Sequence, residues 1–141
     1  MSAIFLGLMS GTSVDSVDVA LIDLAKNDVK ILNCQSRPIP MALKKDILKL
    51  ISSIEIDQAK LAIVDKKIAI TFSNIVKQVL YDEKISPKDI VAIGSHGQTI
   101  KHSPNQAKPF SIQLGNGQEI ANRTLIKTVS DFRSADIRAG G

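Results

Sequence analysis

The densest chemistry in the chain lies near its start, where Ser10 to Asp18 read Ser-Gly-Thr-Ser-Val-Asp-Ser-Val-Asp. Gly11 lets the backbone approach a ligand closely, and Thr12 and Ser13 offer hydroxyls and main-chain N–H groups that can cradle phosphate oxygens. Asp15 and Asp18 add hard oxygen ligands of the kind that hold Mg²⁺ directly or through water. A polar hairpin turn accounts for the same residue types, since Ser, Thr, Gly and Asp populate turns generally. A second candidate group is Ser95-His96-Gly97-Gln98-Thr99, in which His96 and Gln98 supply both donors and acceptors, as contact with sugar hydroxyls or a water requires. Asp131, Arg133 and Asp136 form a third; two carboxylates beside an arginine suit acid/base work and equally suit a surface ion-pair cluster.

These groups need elements to position them. Ile4 to Leu8 and Val19 to Ile22 are short apolar runs either side of the first group, which predicts a hairpin with the chemistry at its tip. Ala25-Lys26-Asn27-Asp28 signals a turn, and Val29 to Ser36 reads as a third strand, so three consecutive antiparallel strands open the chain. Pro38 and Pro40 break the ladder. From Met41 the apolar period becomes helical through Leu43, Ile47, Leu50 and Ile54. Asp57 then caps a longer helix with a stripe of Leu61, Val64, Ile68, Phe72, Ile75 and Val79, expected to cover the sheet.

Ser86-Pro87 resembles a helix start, but Ile90 to Gly94 is too short and β-branched for one and predicts a fully buried fourth strand. His96 and Gln98 follow its carboxyl end, where open α/β sheets place their ligand groups. Lys101 to Pro109 reads as a polar loop, Phe110 to Leu114 as a strand ended by Gly115-Asn116-Gly117, Glu119 to Arg123 as a short helix at best, and Leu125 to Val129 as a further strand. The order is that of an α/β, ribonuclease-H-like lobe: a mixed sheet with three consecutive antiparallel strands, then helices and further strands.

At 141 residues, 44% hydrophobic and 23% charged, the chain fits one globular domain. The net charge of +4 admits an anionic partner, but Lys44, Lys45, Lys49, Lys60, Lys66, Lys67 and Lys77 are spread over helical faces without aromatic neighbours, so a solvated surface is expected and no nucleic acid. Its apolar runs fall short of a membrane span and no basic leader precedes Ile4, which makes the cytoplasm the expected location. Cys34, the single cysteine, lies in an apolar stretch and is expected as a small core residue.

The run Met-Ser-Gly-Thr-Ser-Val-Asp-Ser-Val-Asp-Val-Ala-Leu from Met9, the Ile-Gly-Ser-His-Gly-Gln-Thr-Ile from Ile93, and the Asp-Phe-Arg-Ser-Ala-Asp-Ile-Arg-Ala-Gly-Gly from Asp131 together resemble the anhydro-N-acetylmuramic acid kinases. That family belongs to the actin, hexokinase and Hsp70 structural superfamily. The resemblance covers essentially the whole chain. It implies ATP and Mg²⁺ as cofactors, with Gly11, Thr12, Ser13, Val14, Asp15, Ser16, Val17 and Asp18 as the nucleotide-binding stretch and Asp15 and Asp18 as metal ligands. It also implies His96, Gln98, Asp131 and Arg133 as contacts to an anhydrosugar, with Arg133 suited to its acidic lactyl group, and a homodimer for the full-length form.

Members of the family are considerably longer and cleave a 1,6-anhydro ring while phosphorylating O6, giving N-acetylmuramic acid 6-phosphate in cell-wall recycling. Their general base lies in a Gly-Asp-Thr-Gly-Pro-like motif that this sequence lacks. The resemblance therefore implies an N-terminal lobe whose second lobe and general base are expected beyond Gly141. Other readings are a non-catalytic remnant that binds nucleotide or sugar weakly and a ribonuclease-H-like nucleic-acid binder. The chain departs from the family at Ser16 and Leu125, where glycine is usual, and at Lys127, where an apolar residue is. A positive φ at Ser16 would strain the turn by about 1–2 kcal/mol.

Overall fold

The structure is a computed structural model that describes residues 2–25 and 28–141. Lys26 and Asn27 of the expected turn lie outside the described residues. Strands β1 (Ile4–Ser10), β2 (Ser16–Asp23) and β3 (Lys30–Pro38) form the expected antiparallel meander. Helices α1 (Met41–Ser52) and α2 (Gln58–Asp82) follow, then a 3-10 turn over Pro87–Asp89 and the long strand β4 (Ile90–Ser103). The chain ends with β5 (Phe110–Leu114), α3 (Gly117–Thr124), β6 (Thr128–Ser130) and α4 (Phe132–Arg138). The sheet runs β3-β2-β1-β4, with β1 and β4 parallel. Along the far edge of β4, β6 pairs in parallel with its first half and β5 antiparallel with its second. This mixed sheet of six strands with four helices is a ribonuclease-H-like lobe.

Alternation along the strands separates two faces. Leu6, Leu8, Val19, Leu21 and Ile93 point to one side and meet Ile47, Ile68, Phe72 and Val76 from α1 and α2. Phe72 is 1% exposed, and each such side chain contributes about 1.5–3 kcal/mol by leaving water. Asp57 caps α2 as its position predicts, its carboxylate accepting from the N–H groups of Ala59 at 3.0 Å and Lys60 at 3.2 Å. The helix stops in a Schellman arrangement, with Lys84 at φ 55 and the N–H of Ile85 donating to the carbonyl of Leu80 at 2.9 Å.

Several expectations are corrected. Ile54 lies beyond the end of α1 and is 95% exposed, because the chain turns at Ser53 before another helical turn forms. The fourth strand neither stops at Gly94 nor is fully buried: Val91 is exposed, Ser95 to Thr99, expected to follow its carboxyl end, lie within it, and Lys101 to Ser103, read as loop, extend it because β5 pairs with them. Of the Leu125 to Val129 run only Thr128 and Val129 are strand, as the start of β6. Leu125 instead closes α3 in the left-handed region at φ 60, and α4 was not foreseen. Cys34 is exposed, since it lies on the face of the sheet opposite α1 and α2. Ser16 opens β2; the left-handed residue of the tip is Val14 at φ 57.

Candidate active site at the carboxyl edge of the sheet

The tip of the first hairpin is a tight turn in which the N–H of Val14 donates to the carbonyl of Gly11 at 3.1 Å. Val14 is fully buried and plugs the turn into the core, while Thr12 and Ser13 stand exposed at the apex. A β-branched residue at positive φ is strained, and here burial of its side chain offsets the cost. Downstream, the N–H of Ile39 donates to the carbonyl of Asp15 at 3.0 Å, fastening the hairpin to the start of α1. From α1, the ammonium of Lys44 is paired with the Asp15 carboxylate. That hydrogen bond first, and one from the Ser13 hydroxyl second, hold the Asp15 carboxyl below the usual carboxylate range.

Asp18 has different partners, its carboxylate accepting from the Ser36 hydroxyl at 2.5 Å on the sheet face away from the helices. Among the described residues no three His, Cys, Asp or Glu side chains form a cluster that could hold a metal ion. Carboxylates are the ligands Mg²⁺ takes, and here each is already engaged, Asp15 with Lys44 of α1 and Asp18 with Ser36 on the other face of the sheet. The exposed hydroxyls of Thr12 and Ser13 fit phosphate oxygens.

β4 joins this tip to the second group. Leu8 pairs with Ser95 but Met9 with Gly97, so His96 is the extra residue of a β-bulge and Gly97 takes φ 77. A bulge re-aims a side chain, and the His96 ring is turned toward α4, where the Nε–H of Arg133 donates to its Nε2 at 3.0 Å. With Nε2 accepting, Nδ1 carries the proton and faces the Gly97 carbonyl at 3.3 Å. Gln98 follows a different logic. It is fully buried, bonded to the Ser10 hydroxyl through its Oε1 and to the carbonyls of Gly11 and Thr99 through its Nε2, each at 3.2 Å. Its amide is committed inside the protein, where it fixes the hairpin tip to β4; a direct ligand contact is not what this geometry offers.

Asp131 is exposed at φ 60 just ahead of α4 and, with His96, lines a cavity of about 340 Å³. The same cavity is lined by Asp65, Ser95, Gln113 and Ser130, which the sequence reading did not single out. Asp65 accepts the Gly115 N–H at 2.7 Å, and among the described residues the buried Ser95 Oγ and Gln113 Oε1 have no protein partner. The Ser95 to Thr99 motif held a partial signal for Ser95. Nothing in sequence spacing brings Asp65 of α2 beside it. The three sequence groups thus meet at one edge: Ser10 pairs with Gln98 across β1 and β4, Ser95 with Ser130 across β4 and β6, and Arg133 with His96.

The family model described as anhydro-N-acetylmuramic acid kinase matches residues 3–141. The chain belongs to the anhydro-N-acetylmuramic acid kinase family. It is 41% identical over 138 residues to the anhydro-N-acetylmuramic acid kinase of Actinobacillus pleuropneumoniae serotype 5b (strain L20), a match covering 98% of this chain and 37% of the relative. The kinase of the same name from Sulfurovum sp. (strain NBC37-1) is 46% identical over 137 residues, 97% of this chain and 38% of the relative. That from Pasteurella multocida (strain Pm70) is 38% identical over 137 residues. The chain therefore spans little more than a third of the length of these anhydro-N-acetylmuramic acid kinases. No helix among the described residues is long and apolar enough to cross a membrane.

Proposed function

We propose that this chain forms the N-terminal lobe of an ATP-dependent kinase acting on 1,6-anhydro-N-acetylmuramic acid, with the nucleotide phosphates held at the Gly11 to Asp18 tip and the sugar against His96, Asp131 and Arg133. The observation that carries the reading is the Gln98 amide, which bonds the Ser10 hydroxyl and the Gly11 carbonyl to the strand whose bulge presents His96 to Arg133. Phosphoryl transfer depends mainly on positioning donor and acceptor, and one buried side chain here sets the phosphate turn and the sugar-facing residues in fixed relation.

In this reading Thr12 and Ser13 donate to phosphate oxygens. ATP supplies the phosphoryl group, and Asp15 and Asp18 would hold the metal that neutralises charge as that group is transferred. Arg133 spends Nε on His96, leaving its terminal nitrogens for the carboxylate of the lactyl group. His96 acts by orienting that guanidinium. The unpartnered Ser95 and Gln113 oxygens support a polar ligand in the adjoining cavity.

The test is calorimetric titration of the chain with Mg-ATP and separately with the anhydrosugar, using wild type and Arg133→Ala. Binding of both, with sugar affinity alone reduced about tenfold or more by the variant, supports the assignment. Unchanged sugar affinity in Arg133→Ala removes the role given to Arg133, and salt-dependent binding of nucleic acid without nucleotide binding overturns the reading as a whole.

A further inference from the structure

A single peptide unit supports the β4 bulge. At the end of β5 the Leu114 carbonyl faces Gly97, so closely that a Cβ on that glycine would stand 2.3 Å from its oxygen. The N–H of the same peptide belongs to Gly115 and points the opposite way, as a trans peptide requires, where it donates to the Asp65 carboxylate at 2.7 Å. Gly115 takes φ 115, and a Cβ there would lie 3.6 Å from the Gly97 Cα and 3.2 Å from Ile68 of α2. Two glycines are thus stacked backbone on backbone, held against the helix that also carries Asp65.

A peptide beside glycine turns over easily, because glycine accepts either sign of φ. β5 ends at Leu114, so the Gly115 N–H lies past the ladder, and Asp65 is the acceptor that the structure gives it. Turning this peptide over would take the Leu114 oxygen away from Gly97. The bulge would then lose the surface it rests on, and His96 is the residue that the bulge sets out of register toward Arg133. Asp65, His96, Gly97 and Gly115 line one cavity.

We propose that Asp65 is a positioning residue for the sugar side of the candidate site. Its carboxylate holds the peptide between Leu114 and Gly115 in one orientation, that peptide holds the Gly97 bulge, and the bulge aims His96 at Arg133. The consequence for the sugar rests on the function proposed above; the orientation of the His96 ring does not.

The test reads that ring directly. Nitrogen NMR of the histidine side chains, recorded on the chain without ligand at a pH where both rings are neutral, tells a proton on Nδ1 from one on Nε2. Wild type is expected to keep His96 in the Nδ1–H form, with Arg133 donating to Nε2. Asp65→Ala should leave that ring averaging between the two forms, while His102, bonded to Ser111 at 2.9 Å, keeps its spectrum. Asp65→Asn, whose amide oxygen still accepts from Gly115, should retain the wild-type form. Asp65→Ser, one bond shorter, should match alanine, and it carries the test where Asp65→Ala does not fold. In calorimetric titrations Asp65→Ala should weaken anhydrosugar binding about tenfold or more and leave Mg-ATP binding within about twofold.

An unchanged His96 signature in the variants that lack the acceptor overturns the proposal, as does Asp65→Asn behaving like alanine. So does loss of the His102 signature together with that of His96, or an equal fall in both affinities, either of which makes Asp65 a general support of the fold. Sugar affinity that survives loss of the tautomer also overturns it. If the ring responds as expected but no form of the chain binds the sugar, the link from Asp65 to His96 stands and the proposed function falls.

Discussion

Gly97 carries the strictest backbone demand near the candidate site. At φ 77, a Cβ there would lie 2.3 Å from the carbonyl oxygen of Leu114. Gly97→Ala is therefore expected to destabilise the chain by at least about 2 kcal/mol, measured by urea denaturation, because both the left-handed conformation and a backbone collision oppose it. Leu125 presents the opposite case. It holds φ 60 while 87% exposed, so its side chain returns little burial for the strain. Leu125→Gly should stabilise by about 1 kcal/mol in the same assay.

Lys44 and Asp15 make a pH prediction. Because the Asp15 carboxyl is held below its ordinary range, the pair favours the fold above that range and loses its effect as the pH falls through the lowered value. Lys44→Met should move the Asp15 titration up toward the ordinary carboxylate range in an NMR titration. An unshifted curve would show that Lys44 does not hold the carboxylate in solution.

At the scale of elements, the meander and the two long helices were legible because period and capping agree in them. Asp57 sits where the helical stripe begins and its carboxylate bonds the first free N–H groups of α2. Asp57→Ala should cost about 1 kcal/mol, seen as a lower urea midpoint with an unchanged slope. The second half of the chain was less legible. Lys101 to Ser103 have no strand period of their own and extend only because β5 lies alongside. Leu125 to Val129 looks uniformly extended, yet the helix before it ends on Leu125 and only its last residues find a partner in β4. These outcomes depend on neighbours that local pattern does not encode. At the site, the motif offered His96 and Gln98 together as ligand contacts. Burial then divided them, one turned toward Arg133 and the other sealed beneath the hairpin.

For the whole molecule, the candidate site is an edge. Gly11 to Asp18, His96 and Arg133 meet where β1 and β6 end beside the bulge in the middle of β4, and the chain spans little more than a third of its relatives. Enclosing a reacting phosphoryl group and excluding water from it needs surfaces on more than one side. The chain by itself is accordingly expected to give no sugar phosphate above background with Mg-ATP and the anhydrosugar, assayed by mass spectrometry of the products. Turnover by the chain alone would contradict the proposal that it is one lobe of the kinase.

The extra residue at His96 also acts as a change of phase along β4. Before it, the side chains sent toward the helices are the odd-numbered Ile93 and Ser95; after it, they are the even-numbered Gln98 and Ile100. Losing a single residue between Ser95 and Gln98 would therefore turn over everything distal to the kink, carrying the amide that anchors the hairpin to the wrong side and Ile100 out to solvent. Residue count in this short interval is as binding as residue identity.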